Sequence, residues 1–217
     1  MTQFLDALPL GDSAITLQFG TDKSPALLRR IHSTASHLRR QRLAHVEDIV
    51  PTYLAITVFY DPLSASCDEM KAVLARAIGT PASDELADLP VQEHVIPVRY
   101  DGSDLHDVAA RCRLTVDEVI AIHWARTYTV DILGFVPGFA YLSELDPRIQ
   151  MPRRGEPRTR VPAGSVAIAG GHTGIYPLDT PGGWHILGST PTRMFDVRRD
   201  HPALFAAGDI VRFEPLQ

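Results

Sequence analysis

The sequence predicts a small α+β unit followed by a mainly-β barrel. Three observations carry that expectation. In the first third, hydrophobic residues recur first at strand spacing and then at helical spacing, twice over. A polar, proline-bearing stretch, GTPASDELADLP, then interrupts the pattern at 79–90. After Tyr128 the chain is short strands and turns, and residues 134–191 hold ten of the fifteen glycines and eight of the seventeen prolines. Glycine reaches backbone angles that cost other residues energy, and proline fixes φ and removes a donor. A segment so dense in both encodes backbone shape, as a ligand-binding or partner-binding surface requires.

The elements follow in order. Ile15, Leu17 and Phe19 alternate with polar or small residues, as in a half-buried strand. Ser24-Pro25 reads as an N-cap followed by proline at the first helical position. Leu27, Leu28, Ile31, Ala35 and Leu38 then recur at helical spacing, with Arg29, Arg30, Arg39, Arg40 and Arg42 left for the wet face. Residues 53–60 (YLAITVFY) form a strand closed by Asp61-Pro62, and Met70, Val73, Leu74, Ala77 and Ile78 mark a second amphipathic helix. The polar stretch is the linker, which places the units at 1–82 and 83–217. In the second unit VQEHVIPV is a strand, and Leu105, Val108, Ala109 and Cys112 mark a short helix. Thr115 and Glu118 form a capping-box pattern ahead of a helix bearing Val116, Val119, Ile120 and His123 on one face. The remaining strands are TVDIL, SVAIAG, TGIYP, WHILGS, MFDV and DIVRFEP, and their number and spacing suggest a closed or nearly closed barrel.

Composition excludes several function classes. A net charge of −5 argues against a nucleic-acid partner. No window is apolar enough to span a bilayer, and the first residues, MTQFLDALPLGD, do not read as a signal peptide, so a cytoplasmic location is expected. Only two lysines occur, Lys23 and Lys71, against nineteen arginines, so the second half holds no Schiff-base, biotinylated or P-loop lysine. Cys67 and Cys112 lie far apart, Cys112 reading as a small core residue, and neither belongs to a metal-ligand spacing. No GxxxxGK[ST], HExxH or Cys-x-x-Cys pair is present, and Ser165 lacks the flanking glycines of a nucleophile elbow.

What remains are candidates with two readings each. His123 is either a buried, hydrogen-bonded structural histidine or, if it emerges at the barrel mouth, an acid, base or donor. Arg148, Arg153, Arg154, Arg158 and Arg160 fall within thirteen residues, and guanidinium forks suit carboxylate or phosphate. They form either an anion site, with Arg160 favoured because it abuts the Val-Pro-Ala-Gly turn, or a solvated loop. Gly170-Gly171-His172-Thr173-Gly174 and Pro181-Gly182-Gly183-Trp184 place turn amides beside polar or aromatic groups. They are an anion cradle, with positive φ expected at Gly171, or plain turns around a core tryptophan. Taken with Gly134-x-x-Pro137-Gly138-Phe139, these turns favour a shaped binding surface.

The stretches GFVPGFAYL, PRTRVPAGSVAIAGGHTGIYPL and TPGGWHILGSTP closely resemble the family that contains the B-type subunit of 5-oxoprolinase, allophanate hydrolase subunit 1 and the sporulation-kinase inhibitor KipI. The likeness extends to HVIPVRYDG, IHWARTY, GDSAITLQFG and VPTYLAITVFYDP, nearly the whole chain. It implies an N-terminal α+β domain and a C-terminal cyclophilin-like barrel, a likeness of fold that implies no isomerase activity.

Carried over by position, the motif residues are His123, Phe135, Pro137, Gly138, Phe139, Tyr141, Arg160, Pro162, Gly164, Ser165, Gly170, Gly171, Thr173, Gly174, Tyr176, Pro177, Gly182, Gly183 and Trp184. From these, His123 and Arg160 are expected to be catalytic. Arg158, Gly170, Gly171, His172, Thr173, Tyr176, Gly182, Gly183 and Trp184 are expected to bind substrate or anion. Phe135, Pro137, Gly138, Phe139, Tyr141, Pro162 and Gly164 are expected to shape the site or an interface.

The implied function is that of a subunit in ATP-dependent opening of 5-oxoproline to glutamate, with Mg²⁺ accompanying ATP at the level of the complex and no covalent cofactor. The implied partners are a homologous-fold companion, resembling the C-type subunit of 5-oxoprolinase or allophanate hydrolase subunit 2, and a third oxoprolinase component. The substrate would be a small lactam or amide. Inhibition of a sensor histidine kinase, and a place in urea or allophanate metabolism, are the alternatives the same resemblance implies.

Overall fold

The computed structural model describes residues 4–79 and 91–216. Backbone contacts divide the chain into two units, Met1–Pro90 and Val91–Gln217. The boundary expected between residues 82 and 83 lies outside the described residues.

The first unit runs β1 (Asp6–Pro9), β2 (Ala14–Gln18), α1 (Pro25–Gln41), β3 (Val46–Pro51), β4 (Ala55–Tyr60) and α2 (Cys67–Gly79). Its four strands form an antiparallel sheet in the order β1-β2-β4-β3. Pairing of Ile15 with Val58 and Leu17 with Ile56 puts these four side chains on one face, where they bury with Leu38, Met70 and Leu74. Helix α1 starts where its sequence signal lies: the Ser24 hydroxyl accepts from the Leu27 N–H at 3.1 Å, and Pro25 needs no donor there. Ser66 and Glu69 form a reciprocal cap ahead of α2. β1 and β3, at the sheet edges, were not expected from the sequence.

The second unit runs β5 (Glu93–Val98), α3 (Leu105–Cys112), α4 (Val116–Trp124), β6 (Thr127–Leu133), β7 (Ala140–Leu142), a 3₁₀ turn (Pro147–Ile149), β8 (Arg158–Val161), β9 (Ser165–Ala169), β10 (His172–Ile175), β11 (Thr180–Gly182), β12 (His185–Ser189) and β13 (Ile210–Pro215). The main sheet has the order β12-β9-β10-β7-β6-β13-β5, with β13 and β5 parallel and the other neighbours antiparallel. Its ends meet. Arg99, just past β5, and Ser189, at the end of β12, exchange both backbone hydrogen bonds at 2.8 Å. The sheet is therefore a nearly closed barrel. Thr115 and Glu118 cap α4 reciprocally, as their spacing predicts. MFDV does not form the expected strand: Phe195 makes only an isolated bridge to Ala203, and Pro202 has no N–H to return the bond that Asp196 donates to its carbonyl. β8 and β11 pair as a separate two-stranded ribbon.

Strand β9 is buried on both faces, and its alternation divides the interior. Val166 and Ile168 join the main core under α3 and α4, whereas Ala167 and Ala169 face a second cluster of Phe139, Val161, Tyr176, Trp184 and Ile186. Among the described residues no helix is long and apolar enough to cross a membrane.

Closure depends on Gly188. A Cβ there would collide with the Arg99 carbonyl and lie 3.0 Å from the Tyr100 Cα, so only glycine lets the two backbones meet. Gly188→Ala is expected to destabilise the protein by about 1–3 kcal/mol, the range of overpacking. Thermal or denaturant unfolding checks this; an unchanged midpoint would mean the seam yields without strain.

Candidate functional site

A cavity of about 230 Å³ opens beside the second cluster. Phe139, Tyr176 and Trp184 are buried and form its walls, and Tyr141 and Phe135 complete the aromatic lining. Phe139 is the hub. Its ring meets Phe135, Tyr141, Tyr176 and Trp184 edge-to-face at centroid distances of 5.5, 5.1, 5.4 and 5.3 Å. Such pairs are favoured over stacked sandwiches by the ring quadrupoles. Two local features make the arrangement fit. Gly182 lies where any Cβ would overlap the Tyr176 phenol, so the absence of a side chain lets that ring lie against β11. The Ala167 and Ala169 side of β9 leaves the remaining volume to large rings. Phe135 holds a left-handed φ of 70° and is 57% exposed. A bulky residue in that region is held there by its surroundings, and here the turn presents a ring at the cavity.

The remaining lining is Arg153, Pro157, Pro181, Gly182 and Gly183. Among the described residues, Arg153 is the only charged group in it. Four of the five clustered arginines face an aspartate. Arg148 grips Asp146 through Nε and Nη2 at 3.0 and 2.9 Å. Arg154 and Arg158 both donate to Oδ1 of Asp104, at 3.0 and 2.7 Å. Arg160 donates to Asp179 from Nε at 2.8 Å. Arg153 makes no ion pair with any described residue.

Asp104 itself is 4% exposed, and its second oxygen accepts the Ile186 N–H at 2.8 Å. Burial alone would raise its carboxyl, but the hydrogen bonds from Arg158 and Ile186 and the charges of both arginines hold it below the usual carboxylate range. Burial raises the Tyr176 phenol, which therefore stays protonated at neutral pH.

The structure brings seven expected site residues together around the cavity: Phe135, Phe139, Tyr141, Tyr176, Gly182, Gly183 and Trp184. It places the others elsewhere. His123, expected to be catalytic, does not emerge at the barrel mouth. It is 0% exposed and stacked on Phe213 at 4.6 Å. Thr173 donates its hydroxyl to the Ala167 carbonyl at 3.1 Å, so it accepts from His123 Nε2 at 2.8 Å, and Nδ1 accepts from the Tyr100 hydroxyl at 2.8 Å. Both ring nitrogens and the Thr173 hydroxyl are thereby committed inside the barrel, and burial pushes His123 down to about 3.

Arg160, the other expected catalytic residue, has a 75% exposed side chain paired to Asp179 and does not line the cavity. Arg158 is held by Asp104. His172 lies 3.5 Å from the buried Asp131 and edge-on to Tyr141, and it is not part of the lining. The positive φ expected at Gly171 occurs at Gly170, at 56°. Pro137, Pro162, Gly138 and Gly164 form turns outside the lining, the last two with φ of 83°. Ser165 donates to the Pro162 carbonyl. Pro157 was not singled out, and Pro181 only as the first residue of the Pro-Gly-Gly-Trp turn; Arg153 was one of five arginines, and nothing adjacent to it in sequence marks it as the unpaired one.

Residues 5–205 match the family described as carboxyltransferase domain, subdomain C and D. The chain belongs to that family. Similar proteins include the B-type subunit of 5-oxoprolinase from Bacillus subtilis (strain 168), 37% identical over a match that covers 94% of this chain and 90% of that one. The protein of the same name from Escherichia coli O157:H7 is 38% identical, covering 95% of this chain and 94% of its own. Among solved structures, TTHA0988 matches at 38% identity with a TM-score of 0.83, over 94% of this chain but 40% of that one. This family member thus spans about two fifths of that longer chain. The Kluyveromyces lactis urea amidolyase shares the fold at 19% identity and a TM-score of 0.73, over 99% of this chain and 16% of its own.

The geometry of His123 sets a pH dependence. The unfolded histidine titrates near 6.5 and the folded one near 3, so between those values the unfolded state binds the extra proton. The contribution is complete above about pH 6.5 and is lost as pH falls toward 3, with a limiting slope of about 1.4 kcal/mol per pH unit. Urea unfolding of wild type and His123→Gln across pH 4–8 checks this. Wild type is expected to be the more stable at pH 8, with the gap narrowing below pH 6; parallel curves would overturn it.

Proposed function

We propose that this chain is a subunit of an ATP-dependent 5-oxoprolinase, converting 5-oxoproline with ATP and water to glutamate, ADP and phosphate. The observation that carries the reading is the likeness, along nearly the whole chain, to proteins named as the B-type subunit of 5-oxoprolinase. The cavity agrees with it in scale. At about 230 Å³ it lies below the roughly 300–1,000 Å³ that accommodate drug-sized ligands, which suits a compact lactam.

The same cavity does not fit a magnesium nucleotide. Among the described residues its lining contains no carboxylate to hold the metal and one arginine to meet three phosphates, and its walls are aromatic. ATP and Mg²⁺ therefore belong, in this proposal, to the other subunits of the complex. The partners are a companion subunit of homologous fold and a third oxoprolinase component, and the isolated chain has no lactamase activity of its own.

Reconstitution tests the assignment. Glutamate release from 5-oxoproline by the mixed subunits is expected to require ATP and to fall to background when this chain is left out. Equal release with and without the chain would refute the assignment.

A further inference from the structure

We infer that the aromatic cavity is a receptor for a small ring bearing a carboxylate, in which Arg153 receives the carboxylate and Asp104 acts as the positioning residue for Arg153. The identification of that ring as 5-oxoproline rests on the function proposed above; the recognition of a carboxylate does not.

The first support is the disposition of charge. Arg148, Arg154, Arg158 and Arg160 each face an aspartate carboxylate, and Arg153 alone among them lines a cavity without one. A guanidinium recognises a carboxylate through two parallel N–H donors, a match that neither a neutral amide nor an apolar ring provides. With no second cation in the lining among the described residues, the site suits a monoanion.

The second support is how Arg153 is held. The next residue, Arg154, donates its backbone N–H to the Gly183 carbonyl at 2.8 Å and its guanidinium to Asp104. Arg158, on the far side of the loop, is bound to the same carboxylate oxygen. Asp104 in turn is tied to β12 through the Ile186 N–H. The backbone of Arg153 is thus fixed at the cavity by groups that are not themselves available to a ligand, which lowers the ordering cost of binding.

The third support is the wall. Phe139 and Trp184 present flat apolar surface to a ring, while Tyr176, kept protonated by burial, carries a phenol able to donate to a ring carbonyl.

The test uses the full chain with Trp124→Phe, which removes the exposed tryptophan and leaves Trp184 as the fluorescent reporter in the wall. It is titrated with 5-oxoproline and with 2-pyrrolidinone, the same lactam ring without the carboxylate. 5-Oxoproline is expected to bind at least tenfold more tightly. Arg153→Gln, an exposed position whose replacement leaves the core intact, is expected to bring its Kd to that of 2-pyrrolidinone and to change the latter less than twofold.

Asp104→Asn is expected to weaken 5-oxoproline binding selectively, and the double variant to be no weaker than Arg153→Gln alone. Equal loss of both ligands in Asp104→Asn would reduce Asp104 to a structural role. Equal affinity for the two rings, no effect of Arg153→Gln, or no binding of either ring would overturn the inference. In the reconstituted complex Arg153→Gln is expected to raise KM for 5-oxoproline more than tenfold. An unchanged KM in a complex that still needs this chain would overturn the receptor and leave the assignment to the oxoprolinase standing. A complex that does not need the chain would do the reverse.

Discussion

The second unit depends on what Asp104 does with its two oxygens. The residue stands at the start of α3, yet its carboxylate makes no cap bond to that helix. One oxygen accepts the Ile186 N–H on β12 and the other takes Arg154 and Arg158 from the loop before and within β8. A helix start, a barrel strand and the Gly/Pro-rich loop therefore meet at one buried charge. A buried carboxylate is tolerable only when its lone pairs are filled, and here two cations and a backbone donor fill them. The arginines are equally dependent on it, because without Asp104 two guanidinium groups would sit side by side and repel. That mutual requirement fixes a loop whose composition gives it little regular structure of its own.

Around that anchor the barrel keeps its two interiors chemically different. Val166 and Ile168 fill one side of β9 with branched aliphatics, and Ala167 and Ala169 keep the other side shallow. Shallow positions opposite large rings leave a recess, whereas branched residues would have filled it. Gly182 works in the same direction by letting the Tyr176 phenol approach the backbone of β11. The cavity is thus a consequence of small residues on two strands, and the edge-to-face contacts of Phe139 make its walls stiff.

Much of this was legible in the sequence because the signals were local. Ser24-Pro25 and Thr115 with Glu118 cap the helices they announce, since a cap needs only residues three or four apart. The strands with apolar alternation or apolar runs, such as SVAIA and the strand after Asp209, were visible for the same reason. Edge strands β1 and β3 were not, because an edge strand need not alternate when solvent meets much of it. β7, β8 and β11, three or four residues long, give too few positions to show a period. The aromatic half of the site could be read from residues such as Phe139 and Trp184. The charged half could not. Arg154 and Arg158 find Asp104 some fifty positions away, and Arg160 finds Asp179, so which guanidinium is left without a partner is decided by tertiary structure.

The contrast between His123 and Arg153 shows why polarity alone misdirects a search for function. His123 is an ionisable group in a barrel, yet Tyr100 and Thr173 complete its hydrogen bonds, and Thr173 passes its own proton donation to Ala167. Every partner in that chain is satisfied, and His123 and Thr173 are enclosed, so a ligand could engage the histidine only by breaking bonds whose loss would leave buried groups unsatisfied. Arg153 is the opposite case: charged at any working pH, held by its neighbours in sequence, and lining an aromatic recess without an acid of its own. A group whose bonding capacity is open can change its free energy when a ligand arrives, and a saturated one cannot. By that criterion the side of this barrel open to a ligand is the loop between the 3₁₀ turn and β8, and the histidine on α4 is part of the frame that ties α4 to β10.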